Sequence, residues 1–425
     1  MTPCVSIVIA TYQWSGALRC ALRSVLRQTL QDFEVLVVGD GCTDDSEAVV
    51  GSFGDARLRW HNLPANTGGQ SAPNNQGFAL STGRYIAYLG HDDIWYPTHL
   101  QSLVETIEAR QADLAYAVAM VYGPAESGTR FVTGLLGAEG FTERDCVPPS
   151  SILLRRALLD RIGPWRPPTS LGVPVDYDLE RRALREGAVF AGTEELTVFK
   201  FNTAYRRNAY RSKDTAEQEA MLARIETGRD FRQQEWAALA RCFLTGRSWA
   251  TRIPADLDRL PEGALHAQNR RFKGVEPSAN PPPLTGRLQR RLEQGTPGFE
   301  WHALETTAEA GSFRWSGPST RASIQLPAPS SQALVLTIKL LRAVTPETLA
   351  GLRVMLNGKP VGGALEQSPD GAVLLHLRHD GIVGEPAGLL LTFEVPRTVS
   401  LAELGVGFDT RPLGIAVNWV EIAPA

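Results

Sequence analysis

Val5-Ser6-Ile7-Val8-Ile9-Ala10-Thr11-Tyr12 and Phe33-Glu34-Val35-Leu36-Val37-Val38-Gly39-Asp40-Gly41 are the two stretches on which the fold of this chain turns. Each is a short, nearly continuous apolar run that stops abruptly at polar or glycine residues, which is how a strand buried on both faces reads. Between them Leu18, Leu22, Val25 and Leu26 recur at helical spacing. Downstream, Thr43 or Asp44 is placed to cap a helix carrying Val49, Val50 and Phe53. A third strand falls at residues 58–61, a Gly/Asn-rich loop follows, a helix is expected over 75–80, and Tyr85-Ile86-Ala87-Tyr88-Leu89 is a fourth strand. Strand and helix alternating in this way specify an α/β class with a Rossmann-like, mainly parallel sheet.

The whole chain has 425 residues, more than one ordinary core holds, since single cores stop growing near about 250–300 residues. With 43% hydrophobic residues it has the composition of a globular protein. A formal charge of -3 gives no basic field of the kind that holds nucleic acid, so none is expected as a partner. No apolar run reaches the roughly 18–20 residues of a membrane span, and Met1-Thr2-Pro3-Cys4 leads into a strand without a basic leader, so the expected location is cytoplasmic. Cys4, Cys20, Cys42, Cys146 and Cys242 are widely spaced, with no CxxC pair, and read as free thiols. The seven histidines contain no HExxH, so a zinc hydrolase lacks its ligands.

From about residue 214 to 272 the pattern is charged and helical, with apolar stripes at Met221, Leu222 and Ile225 and at Trp236, Leu239 and Phe243. Val275-Glu276-Pro277 through Asn280-Pro281-Pro282-Pro283 is Pro-rich and reads as a linker. Beyond it, short alternating runs separated by Gly/Pro turns predict an all-β sandwich, with Asn357-Gly358 as a hairpin turn. Its tryptophans, Trp301, Trp315 and Trp419, read first as core residues.

A doubly wound sheet binds ligands beyond the carboxyl ends of its strands. Here those ends are polar: Thr11-Tyr12, Gly39-Asp40-Gly41, Asn66-Thr67-Gly68-Gly69 and Gly90-His91-Asp92-Asp93. Neither GxGxxG nor GxxxxGK[ST] occurs there, which removes the phosphate cradles of dinucleotide oxidoreductases and P-loop enzymes. Adjacent carboxylates at a strand end, Asp92 and Asp93, suit Mg²⁺ or Mn²⁺, which bind through one or two carboxylates plus substrate phosphates.

Taken in order, these motifs resemble a family 2 glycosyltransferase, the inverting class with the A-type nucleotide-sugar fold, over about the first 200 residues. Ala10-Thr11-Tyr12 matches its first strand end. Val37-Val38-Gly39-Asp40-Gly41-Cys42-Thr43-Asp44 matches V-V-D-D-G-S-T-D, Ala72-Pro73-Asn74-Asn75-Gln76-Gly77 follows an N-x-G at residues 66–68, and Gly90-His91-Asp92-Asp93 stands for D-x-D-D. The resemblance implies that Tyr12 stacks near the base, that Asp40 hydrogen-bonds it, that Ala10, Thr11, Gly68, Asn74 and His91 line the nucleotide-sugar site, and that Asp92 holds Mn²⁺ or Mg²⁺. Gly39, Gly90 and Asn74 depart from the pattern, where acids and an Arg are common. The family's E-D-x-D-L motif appears as Val175-Asp176-Tyr177-Asp178-Leu179, which implies Asp176 as the general base and Asp178 as a structural partner.

Arg206, Arg207 and Arg211, just after the run at 197–201, are the expected cationic contacts to the leaving diphosphate. The expected organisation is a nucleotide-sugar-binding domain over 1–212, a helical extension over 213–275, a linker over 276–295 and a β-sandwich accessory domain over 296–425. The expected activity is non-processive transfer of one sugar from a nucleoside-diphosphate sugar, a UDP-sugar first, to a glycan, lipid-linked or protein acceptor in glycan or cell-surface polysaccharide synthesis. The rival expectation, motivated by Gly39, Gly90 and Val175, is a nucleotide-sugar or glycan-binding protein with impaired catalysis.

Overall fold

The structure is a computed structural model describing residues 2–123, 130–136, 140–203, 206, 209–244, 262–275, 287–292, 298–299, 301–302, 304–317, 320–326, 333–356, 359–379 and 389–425. It divides into two compact units, Met1–Ala125 with Arg130–Leu239 and Ala250–Val275, and Glu126–Thr129 with Ala240–Trp249 and Glu276–Ala425.

The first unit runs β1 (Val5–Thr11), α1 (Ser15–Leu26), β2 (Phe33–Gly39), α2 (Ser46–Gly51), β3 (Leu58–Asn62), α3 (Ser71–Leu80) and β4 (Tyr85–Gly90). It continues β5 (Ile94–Trp95), α4 (His99–Ala109), β6 (Leu114–Tyr122), β7 (Arg130–Thr133), β8 (Ile152–Arg155), α5 (Arg156–Ile162), α6 (Val175–Arg185) and β9 (Phe190–Phe201). Four helices close it: α7 (Ala209–Ser212), α8 (Ala216–Thr227), α9 (Phe231–Leu244) and α10 (Ala264–Lys273). Its sheet has the order β3-β2-β1-β4-β8-β6-β9-β5, with β7 on β6. The pairs β3/β2, β2/β1 and β1/β4 are parallel, as the sequence predicts. Beyond β4 the sheet becomes mixed, because β8 lies antiparallel to both β4 and β6.

The apolar continuity of these strands has a direct cause in the packing. Ile7, Ile9, Val35, Val37, Ala87 and Leu89 face one layer with Leu18, Leu22 and Val25 of α1. Val8, Leu36, Ile86 and Tyr88 face the opposite layer with Leu158, Leu159 and Leu179. Successive residues alternate between faces, so a strand covered on both has no polar side to show. On α3, Gly77 permits close approach to β1, since a Cβ there would come within 2.3 Å of Val8 Cγ1. Asp44 accepts from Ser15 N at 3.2 Å and from Ser46 N at 3.3 Å, so one carboxylate serves the first turns of α1 and α2 together.

Helix α8 and the first turns of α9, from the stretch expected as a helical extension, are part of this unit's core. Met221, Leu222, Phe231 and Leu239 pack with Val118, Met120, Phe199 and Phe201 of the sheet. No helix among the described residues is long and apolar enough to cross a membrane.

The second unit contains two antiparallel sheets. One orders Glu305–Thr307, Gly311–Trp315, Ile415–Pro424, Leu334–Ala343, Val373–His379 and Gly363–Gln367, with Leu288–Arg291 also on Ile415–Pro424. The other orders Gly298–Phe299, Arg321–Leu326, Leu389–Glu394, Arg353–Leu356 and Lys359–Val361. Leu336, Ile338 and Val420 from the first share a core with Ile324, Leu391 and Phe393 from the second. That common core is the sandwich the alternating pattern implied. Asn357-Gly358 lies outside the described residues, as does the Pro-rich segment 276–286. Trp315 is buried and Trp301 packs against the sandwich core, donating Nε1–H to Ser323 O at 2.8 Å; Trp419 is half-buried.

Candidate active site

The carboxyl ends of β1, β2 and β4 open on a cavity of about 410 Å³ lined wholly by the first unit, a size suited to a small-molecule ligand. Ala10, Thr11, Tyr12, Asp40, Gly68, His91, Asp92 and Asp176 all line it. Residues from three strand ends, from the loop that carries Gly68 and from the start of α6 therefore meet in one place.

Asp40 is buried at the end of β2 and accepts four hydrogen bonds from one loop. Thr67 N and Oγ1 donate to Oδ1 at 2.9 and 2.7 Å, and Asn66 Nδ2 and Gly68 N donate to Oδ2 at 3.0 and 3.2 Å. A carboxylate has about four lone-pair sites, so Asp40 organises the 66–68 loop with its full acceptor capacity. Gly41 has φ +69° and no room for a side chain, since a Cβ would lie 2.4 Å from Asn66 N. The absence of an acid at position 39 also has a steric reason: a Cβ there would meet Trp60 Cη2 at 2.8 Å.

His91 lines the cavity with Nδ1 3.1 Å from Ala10 O and its ring edge-on to both Trp14 and Tyr210, at 5.9 Å from each. Tyr210 on α7 also lies 6.1 Å from Tyr12, so an aromatic wall forms on this side. Asp92 is 8% exposed, and among the described residues its carboxylate makes no hydrogen bond or ion pair. An enclosed carboxylate without a partner is costly and marks a place for a cation or donor. Asp93 differs completely. It is fully buried, accepts from Ser150 Oγ and from Phe201 N at 3.3 Å, and pairs with Lys200 Nζ at 3.0 Å. Of the two adjacent acids, one is left for chemistry and the other ties β4 to β9.

Asp176 stands in the first turn of α6, where N–H groups are unsatisfied and a negative charge is favoured. Enclosure raises its pKa above the ordinary carboxylate value, with the Lys200 ammonium pulling the other way. Asp178 is held by Arg166 at 3.3 Å and Arg182 at 3.0 Å, a structural arrangement. One turn beyond Asp176, Glu180 is buried and accepts from Val147 N at 3.3 Å; burial, reinforced by the Asp176 charge, pushes its pKa well up.

Three residues assigned from sequence, Asn74, Arg206 and Arg211, lie outside the cavity lining. Asn74 is buried on α3 while its neighbours Gln70 and Pro73 reach the cavity. Arg206 is a correction to the expected phosphate contact: its guanidinium makes a two-pronged pair with Glu217 at 2.9 Å on both arms and donates to the carbonyls of Tyr122, Asn202 and Gly123. It joins α8 to the end of β6. Arg206→Ala is expected to cost about 1–3 kcal/mol of stability and to leave nucleotide affinity unchanged, which thermal denaturation and titration with nucleoside diphosphates measure side by side. Arg207 lies outside the described residues.

The cations that do line the cavity are Lys200 on β9 and Arg270 and Lys273 on α10. Enclosure disfavours charge on Lys200, but the carboxylates of Asp93, Asp92 and Asp176 outweigh it and push the ammonium up to about 12. Arg270 Nη1 donates to Asn66 Oδ1 at 3.2 Å, which connects α10 to the loop that Asp40 organises. No group of three or more His, Cys, Asp or Glu placed for a metal occurs among the described residues. A divalent cation fits as one carboxylate, Asp92, completed by a ligand's phosphates, the usual arrangement for Mg²⁺.

The family model described as glycosyl transferase family 2 matches residues 6–162. Over that part, the chain is similar to glycosyl transferase family 2. An uncharacterized glycosyltransferase of Nostoc sp. is 30% identical over 178 residues, covering 38% of this chain and 54% of that protein. An uncharacterized glycosyltransferase of Rickettsia prowazekii is 33% identical over 106 residues, 25% of this chain and 32% of that protein. The chain thus spans about half the length of the first of these relatives and about a third of the second. Among solved structures, S. aureus TarS is similar at 13% identity and a TM-score of 0.41, covering 100% of this chain and 96% of that one. The family 2 match ends at α5, so α6, β9 and α10, which bring Asp176, Lys200 and Lys273 to the cavity, all follow it.

Proposed function

We propose that the chain transfers a single sugar, with inversion, from a nucleoside-diphosphate sugar to an acceptor hydroxyl. The observation that carries this reading is the convergence of Asp92 and Asp176 on one cavity at the strand ends of a domain similar to family 2. Tyr12 and the loop fixed by Asp40 receive the nucleoside, with a UDP-sugar the first donor to test, and Asp92 with the donor phosphates holds Mn²⁺ or Mg²⁺. Such a cation, when bound, offsets the negative charge of the leaving group. Asp176 takes the proton of the acceptor hydroxyl as its oxygen attacks the sugar's anomeric carbon, and the bond to the diphosphate breaks on the opposite face. Enclosure strengthens Asp176 as a base because its raised pKa brings it nearer to the operating pH. The acceptor, a glycan, lipid-linked or protein hydroxyl, enters on the Asp176 side. The second unit's sandwich acts as an accessory domain to this transfer.

The anomeric configuration of the product tests the mechanism. Proton NMR of the transferred sugar is expected to show the configuration opposite to that of the donor. A product of the same configuration would require a different mechanism and remove Asp176 from the role of base.

A further inference from the structure

We propose that Lys273 of α10, seconded by Lys200 of β9, is the protein's cationic contact to the donor diphosphate. This deepens the reading above and rests on it. Both side chains line the cavity that holds Asp92 and Asp176. Lys200 is already committed to Asp93 at 3.0 Å, an ion pair that also positions its ammonium at the cavity wall. Lys273 is half-buried, and among the described residues its ammonium makes no hydrogen bond or ion pair. Enclosure lowers its pKa, against the pull of Asp92 and Asp176. A cation at the last turn of a helix is ordinary, because the helix dipole favours it there. The dipole does not explain why this one lines a cavity without a partner among the described residues, where a partly enclosed unpaired charge is costly.

The charge count gives the partner. Asp40, Asp92 and Asp176 bring three negative charges to the cavity and Arg270 one positive charge, and the donor's two ionised phosphates bring about two more negative charges. The Lys200 charge is matched by Asp93. A divalent cation at Asp92 leaves about two negative charges unmatched, and the diphosphate gains another as the anomeric C–O bond breaks and its electron pair passes to the phosphate oxygen. Lys273 is a cation on the cavity wall with no hydrogen bond or ion pair among the described residues, and contact with the diphosphate grows stronger as that charge develops, the form of interaction that speeds a reaction.

Calorimetric titration of the full chain with UDP, GDP, inorganic pyrophosphate, uridine and guanosine, each with Mn²⁺ and with EDTA, tests this. Lys273→Met is expected to weaken diphosphate and pyrophosphate binding by about 10–100-fold, the value of a charge-assisted contact, with nucleoside affinity unchanged. Lys273→Arg is expected to retain most of it. Lys273→Gln serves the same comparison should the Met variant fold poorly. Diphosphate affinities equal to wild type in Lys273→Met or Lys273→Gln overturn the proposal and leave the transferase reading intact. Failure of the wild type to bind any of the nucleotides overturns that reading and the proposal together.

Discussion

Asp176→Asn is expected to lower kcat by about 10²–10⁴-fold, the usual contribution of a general base, while the donor Kd stays near that of wild type. The amide keeps the size and much of the hydrogen-bonding shape of the carboxylate but cannot take the acceptor's proton. Two pH effects distinguish lost chemistry from lost structure. Because enclosure raises the pKa of Asp176, the wild-type acid limb of kcat/KM is expected above the ordinary Asp value of about 3.9, with activity rising as Asp176 ionises; Asp176→Asn lacks that limb. A carboxylate with a raised folded-state pKa favours folding at low pH, and that contribution is lost as pH rises through the folded value. Removing its charge at neutral pH therefore relieves a cost, and the melting temperature of Asp176→Asn is expected to be no lower than that of wild type. Activity within a few-fold of wild type in Asp176→Asn would assign the base to another carboxylate.

Asp92→Asn and Asp93→Asn are expected to fail in opposite ways. Asp92 is enclosed and makes no hydrogen bond or ion pair among the described residues, so its loss removes ligand binding and little structure. Nucleoside diphosphate affinity in Mn²⁺ is expected to fall by at least about 10-fold, with little change in EDTA. Asp93 is fully buried against Lys200, Ser150 and Phe201 N. Asp93→Asn leaves the Lys200 ammonium without its counter-charge, and breaking a buried pair from one side costs about 3–5 kcal/mol. Denaturant unfolding is expected to show that loss in Asp93→Asn and not in Asp92→Asn. Unchanged Mn²⁺-dependent affinity in Asp92→Asn would end its assignment as the metal-binding carboxylate.

The parts of the molecule legible in the sequence are those set by local rules. Strands β1, β2 and β4 are buried on both faces, so their apolar runs are unbroken and their polar ends stand out. Thr11, Asp40 and Asp92 could be picked because each ends or follows a strand, whereas Asp176 was reached only through the resemblance of residues 175–179 to a family motif. The mixed half of the sheet was not visible, since the direction of β8 depends on where the chain returns and not on its composition. Arg206 misled for a similar reason: an arginine after a strand looks like a phosphate contact, and nothing local reveals that Glu217 on α8 takes both arms of its guanidinium.

Lys200 did carry a signal. It is a lone charge between Phe199 and Phe201 on a strand whose neighbouring positions are buried, and a charge in that setting needs a partner. Lys273 carried none, because in a helix of mixed charge one lysine looks like another until the helix is placed against the cavity. Gly39 looked like a missing acid, and the Trp60 ring beside it shows why a larger residue has no space there.

The central claim is that this cavity turns over a nucleotide-sugar, and release of nucleoside diphosphate tests it most directly. The protein is incubated with a panel of UDP-, GDP-, CDP- and dTDP-sugars in Mn²⁺, and the freed diphosphate is measured with and without added acceptor sugars. Release above the buffer rate from at least one donor, lost in Asp176→Asn while that donor still binds, is the predicted result. A wild-type protein that neither binds nor releases nucleoside diphosphate from any member of the panel would contradict the account.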